Sequence, residues 1–161
     1  MLQDQLYVNY LRQLFQAREL MLNELMIKRT AGDDDGALSI LNSVCRRTIG
    51  VPLSVVRRTS PERLLEMIQI GGKSNFNPIL IAELLIQDVE LSEKTSNISR
   101  ALVSRLQAFC LLVDSIALLG PEEQAEYRKK LDVLAADLGS ISDSPYIRSK
   151  VDGYLSKKAS G

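Results

Sequence analysis

The side chains best suited to bind a ligand are two adjacent arginine pairs, Arg46-Arg47 and Arg57-Arg58. Guanidinium groups form paired, charge-assisted hydrogen bonds with phosphates and carboxylates. We therefore interpret Arg46, Arg47, Arg57 and Arg58 as candidate contacts for an anion or for a partner protein. The alternative is that these charges belong to ordinary solvent-facing surfaces, as most charge runs do.

An acidic segment follows the arginines along the chain and contains Glu83, Asp88, Glu90 and Glu93. Two carboxylates suffice for some hydrolytic reactions, so an enzyme built on carboxylates and arginines alone is conceivable. Such a site would require Glu83, Asp88 or Asp114 to face a cleft. The interpretation that we favour is a solvated acidic face, or one that partly pairs with the basic stretch.

Histidine is absent from all 161 residues. Because histidine is the usual general base at neutral pH and the commonest metal ligand, its absence excludes several familiar kinds of site. These are the Ser-His-Asp triad, the Cys-His pair and the His-containing zinc sites. The chain also has no Walker loop and no nucleophile-elbow motif. We predict a protein that is not an enzyme, with no catalytic residue, no cofactor and no metal site.

Cys45 and Cys110 are the two cysteines of the chain. Adjacent cations such as Arg46 can lower the pKa of a thiol and make it nucleophilic. Both cysteines, however, fall among apolar residues at helical spacing, which favours buried thiols that act as small hydrophobic groups. Two unpaired thiols and the lack of a signal-peptide pattern predict a cytoplasmic location.

The overall charge indicates which partners to expect. Lysine plus arginine equals aspartate plus glutamate at 20 each, and aromatic residues make up 5%. A zero net charge and few stacking groups predict no nucleic-acid partner. No apolar run reaches the roughly 18 residues of a membrane span, so we expect no membrane partner. Weak repulsion between copies leaves self-association open.

Apolar spacing and the positions of glycine and proline predict an all-α fold of six to eight helices in one domain, 1–161. No segment shows the alternation typical of a strand. The predicted parts are a long N-terminal helix 3–30, a helical-hairpin core 36–138 and a short C-terminal helix 145–156. We expect 51–58 to form a short helix or an ordered loop, and the tail from Lys157 to Gly161 to be frayed.

Several local signals set the predicted helix boundaries. One aspartate of the run Asp33, Asp34 and Asp35 suits an N-cap, and Gly50 suits the left-handed position after a helix end. Ser60-Pro61 and Asn77-Pro78 each place a capping residue before a proline in the first helical turn. Gly71-Gly72 predicts a helix end, and the serine-rich segment 139–144 could let the last helix detach.

The first helix carries an apolar stripe that is wider than a contact between two helices needs. We favour burial in the core, and the alternative is that part of the stripe contacts another copy in a homodimer. The residues of the stripe are Leu6, Tyr10, Leu11, Leu14, Ala17, Met21, Leu22, Leu25 and Met26.

Short packing motifs occur at intervals between Gly36 and Ile116. They are Ala37-Leu38-x-Ile40-Leu41, Ile49-Gly50-Val51, Ser60-Pro61-Glu62-Arg63-Leu64-Leu65, Ala82-Glu83-Leu84-Leu85, and Ala101 with Ala108 before Leu111-Leu112. This half of the chain resembles a family of short, all-helical bacterial proteins of unknown function, commonest in Firmicutes. The family looks related to tetratricopeptide hairpins. Ala101 and Ala108 of this chain match the spacing of the small residues in such a hairpin. Arg105 and Ser92 depart from the repeat pattern, and no 34-residue period occurs.

These observations together favour a non-enzymatic scaffold that binds a protein or a peptide. The resemblance implies a tetratricopeptide-like array of antiparallel hairpins and no known activity. Two alternatives stay open. One is a homodimer assembled through the N-terminal helix, and the other is a binder of an anionic ligand near the arginine pairs.

Overall fold

The computed structural model describes residues 2–71, 76–138 and 145–160, and within them it contains eight α-helices and no strand. This confirms the predicted all-α fold. A 3-10 helix, Ile116–Leu118, lies between the sixth and seventh α-helices. The α-helices are α1 (Leu2–Thr30), α2 (Asp34–Ile49), α3 (Leu53–Arg58), α4 (Pro61–Gly71), α5 (Asn77–Lys94), α6 (Ile98–Ser115), α7 (Pro121–Leu138) and α8 (Pro145–Ser160).

The two ends of α2 follow the local signals in the sequence. At the start, the Asp33 carboxylate accepts a hydrogen bond of 2.8 Å from the Gly36 N–H, as an N-cap does. At the end, Gly50 adopts a φ of 78° and donates its N–H to the Arg46 carbonyl. A residue with a side chain would be strained at this φ, so the glycine fixes where α2 ends.

The start of α5 differs from the prediction that Asn77 caps it. Phe76 occupies the N-cap position, its side chain makes no capping hydrogen bond, and Asn77 is already helical. The buried Asn77 side chain instead donates to the Thr48 carbonyl at 3.4 Å, near the end of α2. The amide therefore joins two helices rather than capping one.

Two other segments had uncertain or different predictions. Of the two alternatives for residues 51–58, the short helix is the one observed, as α3; the N–H of its first residue, Leu53, donates a hydrogen bond to the Asn42 side chain. The predicted frayed tail is wrong through Ser160, because α8 continues to that residue and Lys158 pairs with Asp132 at 3.2 Å. Gly72, residues 139–144 and Gly161 lie outside the described residues.

The core is built around α5 and α6. Only residues 95–97 separate α5 from α6, and these two helices make the most extensive helix–helix contact among the described residues, so they run antiparallel. Asp88 of α5 contacts both Arg100 and Ser104 of α6. Fourteen of the 18 residues of α5 are buried. One cluster of buried apolar side chains includes residues from all eight helices that the structure describes.

Only one side of the first helix, α1, packs against this core. Leu14, Met21 and Leu25 are buried, whereas Leu6 and Met26 of the predicted stripe are 46% and 63% exposed. The wide stripe is therefore divided between the core and the surface. Core burial, the interpretation favoured from the sequence, holds for only part of it.

No uninterrupted apolar run of membrane-spanning length occurs in the sequence, as expected, but one described helix meets a criterion of length and mean hydropathy. Among the described residues, one stretch, Ile98–Leu118, meets that criterion, with a mean hydropathy of 1.6. Half of it is buried, and it packs against α4, α5 and α7. Core helices of soluble proteins meet the same criterion, and the contacts of α6 are consistent with such a helix.

Candidate functional site

The four candidate arginines do not form one site. Arg46 and Arg47 are exposed on the last turn of α2, whereas Arg57 hydrogen bonds to Asp88. Arg58 is exposed on α3, and its Nε donates to the Ser54 carbonyl at 3.2 Å. Of the four, Arg46 and Arg47 face a space that a ligand could enter, and Arg57 and Arg58 do not line it.

That space is an open cleft of about 480 Å³ between α1, the end of α2 and the start of α5. Its apolar part is formed by Leu14, Phe76 and Leu80, which are buried, and Arg46 and Arg47 lie at its exposed rim. The residues that line it are Gln13, Leu14, Ala17, Arg46, Arg47, Thr48, Gly50, Phe76, Asn77 and Leu80.

The electrostatic environment of the cleft is positive. Neither Arg46 nor Arg47 makes an ion pair or a side-chain hydrogen bond to any residue that the structure describes. The start of α5 contributes the partial positive charge of a helix N-terminus. Meanwhile the Arg46 and Thr48 carbonyls, at the negative end of α2, already accept hydrogen bonds from Gly50 and Asn77. The two guanidinium groups are thus available to an acceptor from outside.

Asp88 has the opposite environment: it is buried rather than part of a solvated face, and its pairing with Arg57 matches the alternative that the acidic segment partly pairs with the basic stretch. It is 0% exposed, and its carboxylate accepts hydrogen bonds from Arg57, Arg100 and Ser104. Burial alone would raise the pKa of Asp88, but the hydrogen bonds outweigh it and hold the pKa below the ordinary value of 3.8. Asp88 is therefore a charged, fully paired group that ties α3, α5 and α6 together.

Glu83 is a second acidic residue that is buried rather than part of a solvated face. It is 1% exposed, pairs with Lys130 of α7, and lies 3.6 Å from Nη1 of Arg18 of α1. The same Arg18 nitrogen donates to the Tyr127 hydroxyl at 3.1 Å. Burial and the nearby Glu83 raise the pKa of Tyr127, so its phenol stays neutral. This cluster joins α1, α5 and α7.

The burial of both carboxylates had one local sign in the sequence, which is their apolar neighbours. Glu83 lies between Ala82 and Leu84, and Val89 follows Asp88. Apolar residues thus surround every face of α5, which is typical of a helix buried on all sides. Asp114, the third acidic candidate, pairs with Lys150 of α8. None of the three lines the cleft among the residues described.

Both cysteines are buried and free. Burial raises the pKa of Cys45 to about 11, although Arg57 and Arg46 act to lower it. Burial, with a contribution from Asp114, raises the pKa of Cys110 to about 12. Neither thiol therefore has thiolate character near neutral pH. In the parts of the chain that the structure describes, no group of three or more metal-ligating side chains occurs.

Comparisons of the chain with models of protein families, with curated proteins and with solved structures find no match. The resemblance of the stretch from Gly36 to Ile116 to the helical Firmicute family therefore stays a prediction. The same holds for its relation to tetratricopeptide hairpins. The function must be argued from the cleft and the charges around it.

Proposed function

We propose that this protein is a non-enzymatic interaction scaffold and that its cleft binds an acidic segment of a partner protein. The observation that carries this proposal is the pair Arg46 and Arg47, which have no partner among the described residues and lie above an apolar floor. Arginine is enriched at protein interfaces because its guanidinium binds carboxylates in a fixed, bidentate geometry. Charge complementarity therefore favours aspartate or glutamate in the bound segment.

The shape of the cleft indicates which kind of partner residue binds beside the acidic one. Buried Leu14, Phe76 and Leu80 offer an apolar surface a short distance from the rim. A volume of about 480 Å³ holds a few side chains rather than a whole helix. We expect an aliphatic or aromatic residue of the partner to enter the cleft while a neighbouring carboxylate contacts the arginines.

The charged interior supports a scaffold rather than an enzyme. Asp88 and Glu83 are each neutralised by two basic side chains and lie away from the cleft. Catalytic acids and bases are usually exposed to a cleft and have a pKa near the working pH. The pKa of Asp88 is moved the other way, which fits a structural role.

The proposal includes the arrangement and the setting of the scaffold. The antiparallel α5–α6 pair supports a hairpin array of the tetratricopeptide-like kind. Two buried, unpaired thiols support a reducing, cytoplasmic environment. The resemblance of the packing motifs supports a bacterial source.

Selection from a phage-displayed library of random peptides on the immobilised full chain tests this function. We expect enriched peptides that combine acidic residues with aliphatic or aromatic ones. The double variant Arg46→Glu/Arg47→Glu should lose them, because it repels the carboxylates that the wild type attracts. The matched control is Arg58→Glu/Arg63→Glu, which makes the same change in net charge at two exposed residues outside the cleft.

The milder variant Arg46→Gln/Arg47→Gln keeps the test usable if the charge reversal disturbs folding. It removes the two positive charges without adding acidic groups at the end of α2. Circular dichroism melting would check that each variant folds. The proposal would be wrong if no peptide class were enriched, or if both charge reversals retained the same peptides. Titration with inorganic phosphate alone tests the anion alternative, and saturable phosphate binding without peptide enrichment would favour it.

A further inference from the structure

Among the polar side chains that line the cleft, Asn77 is the buried one. It lies in the first turn of α5 and is 9% exposed. The other polar side chains of the lining are half-buried or exposed, and they are Gln13, Arg46, Arg47 and Thr48. A side-chain amide has two N–H donors and a carbonyl oxygen that accepts hydrogen bonds. When such a group is buried, its polar atoms usually have partners.

The Asn77 amide uses little of this capacity. Its Nδ2 donates one long hydrogen bond, of 3.4 Å, to the Thr48 carbonyl. The second N–H and the carbonyl oxygen Oδ1 make no hydrogen bond to any residue that the structure describes. A donor and an acceptor of this buried side chain are therefore left without a partner in the described part of the chain.

The unused acceptor opens into the cleft. Some described residues hold a polar side-chain atom that is both unpartnered and sealed from solvent, and these are Ser92, Arg105, Gln107 and Ser115. Oδ1 of Asn77 also lacks a partner among the described residues, but it is not one of these sealed atoms. Oδ1 must therefore be reachable from the surface, and the cleft is the opening that Asn77 lines.

A partner that fills the cleft must satisfy this oxygen. In the free protein, water can donate a hydrogen bond to Oδ1. An aliphatic or aromatic side chain that enters the cleft displaces that water, and a carbonyl buried without a hydrogen bond opposes binding. A segment that binds well therefore brings a donor of its own to Asn77.

A backbone N–H is the donor that suits this position. A cationic side chain would be repelled by Arg46 and Arg47, which line the same cleft. A backbone N–H is uncharged and occurs at every residue except proline. Within a helix, however, the N–H groups beyond the first turn are already bonded to carbonyls of the same helix. The donor therefore belongs to a segment in an extended conformation.

One extended segment can reach both the amide and the arginines. Asn77 hydrogen bonds to the carbonyl of Thr48, the residue that directly follows Arg47. An extended chain advances about 3.3 Å per residue and turns successive side chains to opposite sides. An acidic residue within about two positions of the residue held by Asn77 can therefore contact Arg46 or Arg47.

From these observations, and resting on the proposed function, we infer that Oδ1 of Asn77 accepts the backbone N–H of one residue of the bound acidic segment and holds that segment extended. The arginines select an acidic side chain, whereas Asn77 selects the conformation of the main chain. A segment with proline at the held position, or one that is helical across the cleft, cannot supply this N–H.

An NMR titration of the isotope-labelled full chain with a defined peptide tests the inference. The probe is acetyl-Asp-Leu-Glu-Leu-Asp-amide, in which each aliphatic residue has acidic neighbours. A series of derivatives carries a methyl group on one backbone nitrogen each, which removes that N–H and leaves the side chains unchanged. We expect one derivative, the critical one, to bind the wild type roughly fivefold to tenfold more weakly than the parent peptide does.

The variant Asn77→Leu removes the amide at similar size. It should bind the parent peptide about as weakly as the wild type binds the critical derivative, and N-methylation at that position should then cost less than about twofold. The matched control is Thr48→Val in the same lining. Its hydroxyl already donates to the Val44 carbonyl at 2.7 Å, so this variant should keep the full penalty of N-methylation.

The titrations of the wild type keep the test decisive if Asn77→Leu fails to fold. In the wild type, the side-chain amide signal of Asn77 should shift with the parent peptide and stay in place with the critical derivative. Equal affinity of every derivative for the wild type, or an unchanged penalty in folded Asn77→Leu, would overturn the inference and leave the function based on the arginines standing. No binding of the parent peptide by the wild type would overturn both.

Discussion

Arg57 and Arg46 belong to the same basic stretch of sequence, yet the fold gives them opposite roles. Arg57 reaches into the interior and hydrogen bonds to the buried carboxylate of Asp88. Arg46 lies at the rim of an open cleft with no partner among the described residues. The difference teaches that the sequence position of an arginine does not decide whether its guanidinium is available to bind a ligand. The acidic neighbours that the fold brings to it do.

The two regions also differ in what they contribute energetically. Around Asp88 and Glu83, ions are removed from water and must be paired, so the loss of one partner is costly. Around the cleft, arginines remain hydrated, and their removal should leave stability almost unchanged. Variants of the interior should therefore change folding, and variants of the cleft should change binding.

Asp88→Asn should produce the largest change in stability. It leaves Arg57 and Arg100 without their carboxylate in a site where Asp88 is 0% exposed. We expect the free energy of unfolding to fall by about 3 kcal/mol, as measured by urea denaturation. The control Arg46→Gln should unfold at nearly the wild-type urea concentration. Equal effects of the two variants would contradict the contrast between interior and cleft.

The decline of the free energy of unfolding at acidic pH should depend on the Asp88 carboxylate. Because the pKa of Asp88 is lower in the folded chain than in the unfolded one, protonation favours unfolding. Its contribution is complete above the ordinary pKa of 3.8 and is lost as the pH falls through the folded-state pKa. Urea denaturation at a series of acidic pH values should therefore give a shallower decline for Asp88→Asn than for the wild type. Parallel curves would rule out this role of Asp88.

Two buried serines provide a smaller and more selective test of the interior. Ser104 donates its hydroxyl to Asp88, whereas the Ser92 hydroxyl has no hydrogen-bond partner among the described residues. Ser104→Ala should destabilise the fold by about 1–2 kcal/mol, because it removes a hydrogen bond to a charged group. Ser92→Ala should be neutral or slightly stabilising, since it removes an unsatisfied polar group. Thermal denaturation of both variants compares them, and the reverse order would refute the assignment of Asp88 as a fully paired centre.

The local rules of helix formation account for much of the fold. Asp33 and Gly50 set the ends of α2 by capping and by positive φ. The sequence indicated the glycine, and it indicated an N-cap within the run of three aspartates. The burial of Glu83 and Asp88 was not readable in this way, because it depends on Arg18, Arg57, Arg100 and Lys130 arriving from other helices. The only local sign was the apolar residues on every face of α5.

The cleft could be predicted only in part. Arg46 and Arg47 were recognisable as ligand-binding residue types, but Phe76 and Leu80 come from a helix about 30 residues further along the chain. The hydrogen bond to the Thr48 carbonyl at the end of α2 comes from the Asn77 amide, which the sequence suggested as a cap. Long-range pairing of this kind has no local signature, so the separation of the four arginines into different environments emerged only from the fold.

The most direct test of the account is a fluorescence titration of one enriched acidic peptide with the folded full-length protein. The account predicts saturable binding that Arg46→Glu/Arg47→Glu weakens by at least tenfold, while Arg58→Glu/Arg63→Glu retains an affinity close to that of the wild type. Equal weakening by both charge reversals would mean that the peptide senses only the overall charge of the protein, and would contradict a binding site in the cleft.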